Sequence, residues 1–102
     1  MLEFNQSAKS KFSTIVIPTA LLYDTKLSVM ARMTAIIILE LPKNSNNIPN
    51  LLAALLGIGM TNVYEHLHDL DKCGWLLRVQ HVDDHGRAIG YRYEILNAAD
   101  NA

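Results

Sequence analysis

Five side chains between positions 66 and 85 carry the nitrogen and sulfur atoms that proteins use to bind transition metals. They are the four imidazoles and the one thiol of the chain: His66, His68, Cys73, His81 and His85. His66 and His68 stand two positions apart on a predicted helix, so they point to different sides of it. Neither a Cys-x-x-Cys pair nor a His-x-x-x-His pair is present. We therefore expect no metal site and no cofactor.

Catalytic patterns are also missing from the sequence. Serine, histidine and aspartate all occur, but no spacing forms a nucleophile elbow, a phosphate-binding loop or a paired-carboxylate site. A chain of 102 residues allows one domain, and three helices leave little room for an enclosed pocket. We expect that the protein is not an enzyme.

A pattern of two helices joined by a tight turn occupies the middle of the chain. Ala53 is small, so a second helix can cross closely over the first. Gly57 can adopt the left-handed conformation that ends a helix at little steric cost. After it, Val63, Leu67 and Leu70 recur at helical spacing and are expected to face the core. This pattern predicts a helix-turn-helix.

The remaining elements are predicted around this pair of helices. One domain is expected over residues 13–97, between a flexible polar arm at 1–12 and a frayed tail at 98–102. It is expected to begin with an extended segment ending at Pro18 and a helical turn over 19–23. Three helices should follow: one from the N-cap Ser28 to about Leu41, one with Pro49 in its first position and Gly57 at its end, and one opened by Gly59 or Thr61 that runs to about Lys72. Two strands are expected last, over 76–82 and 89–96. The predicted fold class is therefore mainly α with a small β-hairpin (α+β), in the order of a winged helix-turn-helix.

Three side chains in this region have packing roles in the prediction. Trp75 is expected to fill the core under the hairpin rather than to stack on a base. His66 is expected to be a packed and hydrogen-bonded ring, and Cys73 a small buried residue rather than a redox switch.

The third long helix resembles a known family. In winged helix-turn-helix regulators of the MarR and ArsR kind, an apolar residue is followed by another four positions on, a leucine seven on and a glycine eleven on. The residues that match this series are Val63, Leu67, Leu70 and Gly74. The segment IPTALLYDTKLSVMAR is similar to the lead-in of helix-turn-helix domains of phage and plasmid replication proteins, with its Ile-Pro, short helical turn and Leu-Ser. Together the two resemblances cover about residues 15–96.

The resemblance implies that the third helix enters the major groove of double-stranded DNA. The exposed candidates on this helix are Thr61, Asn62, Tyr64, Glu65 and His68. Asn62 would read adenine and Glu65 would accept from a cytosine amino group, while Thr61 and Tyr64 would contact phosphates or a thymine methyl. Further contacts would come from Arg87 at the hairpin tip and from Lys9 and Lys11 in the arm. The implied function is sequence-specific DNA binding, as a transcriptional repressor or as a plasmid or phage replication or partition factor.

The charge of the predicted helix-turn-helix leaves an alternative open. From position 49 to 74, Lys72 is the only basic residue, against Glu65, Asp69 and Asp71. Glu65 also stands where the family usually has an arginine that grips the DNA backbone. Because phosphate neutralisation supplies most non-specific affinity, one protomer would bind DNA weakly. Either a dimer doubles a few polar contacts, or the winged helix is a protein-protein interaction module without DNA binding.

The first long helix favours the dimer. Only Arg32, Thr34 and Glu40 interrupt its apolar surface, and a helix apolar all round is buried on more than one side. We expect a homodimer interface on this helix, formed by Met30, Met33, Ile37 and Leu41. The alternative is that the N-terminal strand and the hairpin cover the helix.

Composition and charge indicate a cytoplasmic domain. The single cysteine excludes an intrachain disulfide, and the N-terminus has no apolar run of signal-peptide length. The most apolar segment, residues 29–41, contains Arg32 and Glu40 and is too short to span a bilayer. With a net charge of −1, we expect no membrane partner.

Overall fold

The computed structural model describes residues 14–42 and 45–96. Over these ranges the chain forms a small α+β domain with four helices and one two-stranded antiparallel sheet. The elements are α1 (Thr19–Leu22), α2 (Val29–Glu40), α3 (Ile48–Leu56), α4 (Met60–Lys72), β1 (Leu76–Val82) and β2 (Ala88–Ile95). The predicted order of elements is confirmed. The predicted arm and tail, with Lys9 and Lys11, lie outside the described residues.

Local sequence signals set the helix ends. The Ser28 hydroxyl accepts a hydrogen bond from the Ala31 amide at 3.1 Å, which confirms Ser28 as the N-cap of α2. Gly57 ends α3 in the left-handed conformation with φ 70°, as predicted. The prediction of Pro49 as the first residue of α3 is wrong by one position. Ile48 is first, because Asn47 takes the left-handed conformation (φ 57°) and the helix begins directly after it.

The buried side of α4 lies at the centre of the core. Val63, Leu67 and Leu70 are buried as predicted, and α4 packs against both α2 and α3. The core consists of these three residues together with Leu21, Leu27, Ala31, Ala35, Ile38, Ile48, Leu52, Trp75 and Leu76. The inner side of α4 is therefore held by its packing against α2, α3 and the rest of the core.

The chain itself covers part of α2. Ile37 and Leu41 pack against the core, and β2 contacts this helix. Thr34 is fully buried, and its hydroxyl is satisfied because it donates to the Met30 carbonyl at 2.8 Å. Met33 stays 41% exposed and Met30 is partly buried. No helix in the described ranges is long and apolar enough to cross a membrane.

The hairpin begins directly after α4. Gly74 has φ 84°, and β1 pairs with β2 from Leu76 opposite Ile95 to Val82 opposite Ala88. Strand alternation places Arg78 on the same sheet face as the buried Leu76 and as Tyr93, its cross-strand partner. That face is turned towards α4. The base is closed where the Leu96 amide donates to the Trp75 carbonyl at 2.9 Å.

Candidate nucleic-acid interface

The exposed side of α4 brings together the five residues predicted on it. Thr61, Asn62, Tyr64, Glu65 and His68 are all exposed. At 100° per residue, Thr61, Glu65 and His68 lie opposite the buried stripe. Tyr64 and Asn62 lie on the two flanks of this face, with Tyr64 on the side of the hairpin. The outer face of α4 thus offers hydroxyl, amide, carboxylate and imidazole groups to solvent.

This face carries more negative than positive charge. Glu65 is exposed near its centre, and Asp69 and Asp71 follow on the last turns. Lys72 is the basic residue of the last turn. A phosphate backbone lying along α4 would therefore need cations supplied by another element.

Arg87 lies at the hairpin tip as predicted, but it is paired with a carboxylate. Its side chain is exposed, and its Nε is 3.2 Å from Asp83 Oδ2. Asp83 also accepts the backbone N–H groups of Arg87 at 2.9 Å and His85 at 2.8 Å. The bond from the Arg87 amide is the main cause that lowers the pKa of Asp83, and the other two bonds add to it. The charge of Arg87 is thus partly offset inside its own turn.

Arg78 is the cation that the sequence reasoning missed. Its guanidinium lies over the Tyr91 ring, 4.8 Å from the ring centroid. Arg92 has Glu94 at 2.9 Å and Arg87 has Asp83, whereas Arg78 forms no salt bridge with any described residue. Strand alternation in the sequence places Tyr91 and Tyr93 on one face, but the register of the two strands decides that Arg78 lies beside them.

Helix α4 and the hairpin enclose a shallow cavity of about 190 Å³. Tyr64, His68 and Asp71 line it from α4, and Arg78 and Tyr93 line it from the hairpin. Burial is the main cause that raises the pKa of Tyr93; Tyr64 adds to it and Arg78 opposes it. The Tyr93 phenol is therefore neutral at physiological pH and keeps its hydrogen-bond donor.

Trp75 connects the base of the hairpin to the loop between α1 and α2. It is 8% exposed, which confirms the prediction of a core residue. Its indole Nε1–H donates to Asp24 Oδ2 at 2.8 Å. This bond is the main cause that lowers the pKa of Asp24; the Lys26 amide and the Lys26 and Arg32 charges add to it. The sequence reasoning did not find Asp24, although a buried indole N–H needs an acceptor.

The histidine and cysteine side chains of the described residues do not come together in a metal-binding group. Within residues 14–42 and 45–96, no three or more His, Cys, Asp or Glu side chains are placed to hold a metal ion. The His66 Nδ1 is buried without a hydrogen-bond partner in the described part of the chain, so the expected hydrogen bond is not present at this atom. Cys73 is only partly buried, between α4 and the hairpin.

No protein-family model matches the chain, and comparisons with curated proteins and with solved structures found no match. The resemblance to winged helix-turn-helix regulators therefore depends on the residues and on the order of elements.

Proposed function

We propose that the protein is a winged helix-turn-helix that binds double-stranded DNA sequence-specifically as a homodimer. The supporting observation is the polar outer face of α4, with Thr61, Glu65 and His68 opposite a stripe that packs into the core. A hairpin follows this helix and contacts it. A helix held on one side and polar on the other, with a hairpin beside it, has the shape that fits a major groove.

The residues divide into base-reading and backbone-contacting groups. Asn62 and Glu65 carry amide and carboxylate groups that pair with adenine and with the cytosine amino group. Arg78 is the best backbone contact on the hairpin, because it has no carboxylate partner among the described residues. Thr61, Tyr64 and His68 add hydrogen-bond donors and acceptors on the same side.

A dimer would supply the affinity that one protomer lacks. With an acidic α4 and few unpaired cations beside it among the described residues, one protomer would make few phosphate contacts, and a two-fold dimer would double them. We assign the interface to the exposed part of α2 around Met30 and Met33, since Ile37 and Leu41 already contact the protein's own core. Such a dimer fits a transcriptional repressor, or a plasmid or phage replication or partition factor in the cytoplasm.

The alternative is a winged helix that binds another protein. Its supporting observation is the acidic face of α4 together with Leu51 and Leu55 of α3, which are 37% and 60% exposed. Exposed apolar side chains with a polar rim are typical of protein contacts.

The test is selection of bound sequences from a random duplex pool, followed by fluorescence anisotropy across a salt series. The affinity should fall steeply with added salt. Asn62→Ala should cost about 1–3 kcal/mol on the preferred site and relax its base preference. Gln80→Ala, which removes an exposed amide from the hairpin, is the matched control and should leave the base preference unchanged.

Two results would decide against parts of the proposal. If no duplex is enriched or bound at low salt, the protein-contact alternative replaces DNA binding. If light scattering gives a monomer at tens of micromolar both alone and with saturating DNA, the homodimer is wrong.

A further inference from the structure

A second cleft, of about 440 Å³, opens on the side of Tyr64 next to the start of α3. Three tyrosines and three asparagines make up most of its lining: Tyr64, Tyr91, Tyr93, Asn46, Asn47 and Asn50. Its volume falls within the range of small-molecule sites, roughly 300–1,000 Å³. None of the described residues that line it carries a charge.

We propose that this cleft binds an unpaired nucleobase of a DNA strand. Tyr64 and Tyr91 are 50% and 47% exposed, and Arg78 covers only one face of the Tyr91 ring, so each ring keeps surface for a planar ligand. Base–aromatic stacking is strong and accepts every base, since each base has a π-face. A neutral lining suits a neutral base, whereas a phosphate or a carboxylate inside the cleft would meet no cation among the described residues that line it.

The asparagines supply groups for the edge of the base. Each side-chain amide has two donors and one acceptor oxygen, the set that pairs with the edge of a base. Asn46, Asn47 and Asn50 are exposed. Asn47 stands at the N-cap position of α3, yet its side chain makes no capping hydrogen bond. Its amide is therefore not used by the helix and is open to a ligand.

Arg78 places a positive charge next to the cleft. It stacks on Tyr91, which lines the cleft, and it does not line the cleft itself. A base between the tyrosines would bring its own phosphate to the rim, within reach of a cation on the hairpin. The cleft thus suits the base of a nucleotide, and Arg78 suits its phosphate.

This inference rests on the proposed function and extends it from duplex DNA to DNA with unpaired bases. A base in a duplex is stacked on both sides, so it enters a cleft only after it leaves the stack. Unpaired bases avoid most of that cost. A duplex with a few unpaired bases beside the recognised site should therefore bind better than the fully paired duplex.

The experiment compares two labelled DNAs at the same salt concentration. One is the fully paired duplex of preferred sequence, and the other carries a short mismatched bubble beside it. We expect the bubble DNA to bind about 5- to 100-fold more tightly. A 2-aminopurine in the bubble should lose fluorescence on binding, because it stacks on a tyrosine.

Variants separate the cleft from the rest of the surface. Tyr91→Leu should bring the affinity ratio of the two DNAs close to one and remove the 2-aminopurine quenching. Tyr91→Phe keeps the ring and should keep the ratio. Tyr23→Leu removes an exposed tyrosine that does not line the cleft and should leave the ratio unchanged.

The outcomes distinguish this inference from the proposed function. Tight duplex binding with no preference for the bubble would overturn the cleft and keep duplex recognition. A preference that survives Tyr91→Leu would also overturn it. Binding of the bubble DNA alone, lost in Tyr91→Leu, would support the cleft and reject duplex recognition, and binding of neither DNA would reject both.

Discussion

The base and the tip of the hairpin are held in different ways. At the base, Leu76 and Trp75 are part of the core, and the Trp75 indole donates a hydrogen bond to Asp24, which lies 51 positions earlier in the chain. At the tip, the turn is held by Asp83, which accepts bonds from His85 and Arg87 only a few residues away. The base is therefore held by contacts with distant residues, whereas the side-chain hydrogen bonds of the turn come from within the turn. The direction of the hairpin is therefore set at its base, where the chain leaves α4.

The largest expected difference between the two ends is in stability. Trp75→Ala removes a buried aromatic ring and should lower the free energy of unfolding by about 3–5 kcal/mol. Ile89→Ala near the tip, where the side chain is 66% exposed, should change it by less than about 0.5 kcal/mol. Urea unfolding is followed by circular dichroism for both variants. Tryptophan fluorescence cannot be used, because Trp75 is the only tryptophan and one variant lacks it.

If Trp75→Ala is too unstable to fold, Trp75→Phe keeps a six-membered aromatic ring and removes the five-membered ring with its N–H donor. It should cost less than the alanine variant and still more than Ile89→Ala. Equal losses at the base and at the tip would show that the hairpin is not anchored through Trp75.

The next effect concerns the carboxylate that receives the indole N–H. Asp24→Ala leaves a buried donor without an acceptor and should cost about 1–3 kcal/mol in urea unfolding. Asp24→Asn keeps one oxygen for the indole and should cost less. A loss from Asp24→Ala no larger than that of Asp24→Asn would mean that the bond to Trp75 does not stabilise the base.

The same carboxylate makes stability depend on pH. Because the pKa of Asp24 is lowered in the folded state from its ordinary value of 3.8, its contribution is complete above that value. It is lost as the pH falls through the lowered folded pKa. The difference in unfolding free energy between the wild type and Asp24→Asn should therefore be constant from neutral pH to about pH 5 and shrink below about pH 4. A difference that stays constant down to pH 2.5 would contradict this coupling.

Local signals explain what the sequence predicts well. The buried stripe of α4, the N-cap at Ser28 and the left-handed Gly57 each depend on residues within one or two turns. The one-residue error at the start of α3 arises from Asn47, a non-glycine residue with positive φ. Only a few per cent of non-glycine residues adopt this conformation, and the enrichment of asparagine in it does not distinguish Asn47 from the adjacent Asn46.

Contacts between distant residues explain what the sequence does not predict. Asp24 and Trp75 are 51 positions apart, and nothing in the sequence next to Asp24 indicates an indole partner. The stacking of Arg78 on Tyr91 depends on the register of the two strands, which the turn and a bulge near His81 determine. The cleft beside Tyr64 needs a third element, the start of α3. Candidate side chains on one helix could be predicted, whereas the site between three elements could not.

The smallest expected effect compares the two arginines of the hairpin in DNA binding. Arg78→Ala should reduce the slope of log affinity against log salt by about one, as expected for one lost phosphate contact. Arg87→Ala should reduce it by less than half as much, because Arg87 has to leave Asp83 before it can bind a phosphate. Both variants remove one positive charge, so net charge alone does not explain a difference between them. Fluorescence anisotropy of the selected duplex at four or more salt concentrations measures both slopes. An Arg87→Ala variant with the larger reduction would show that the tip, rather than the strand beside α4, holds the DNA backbone.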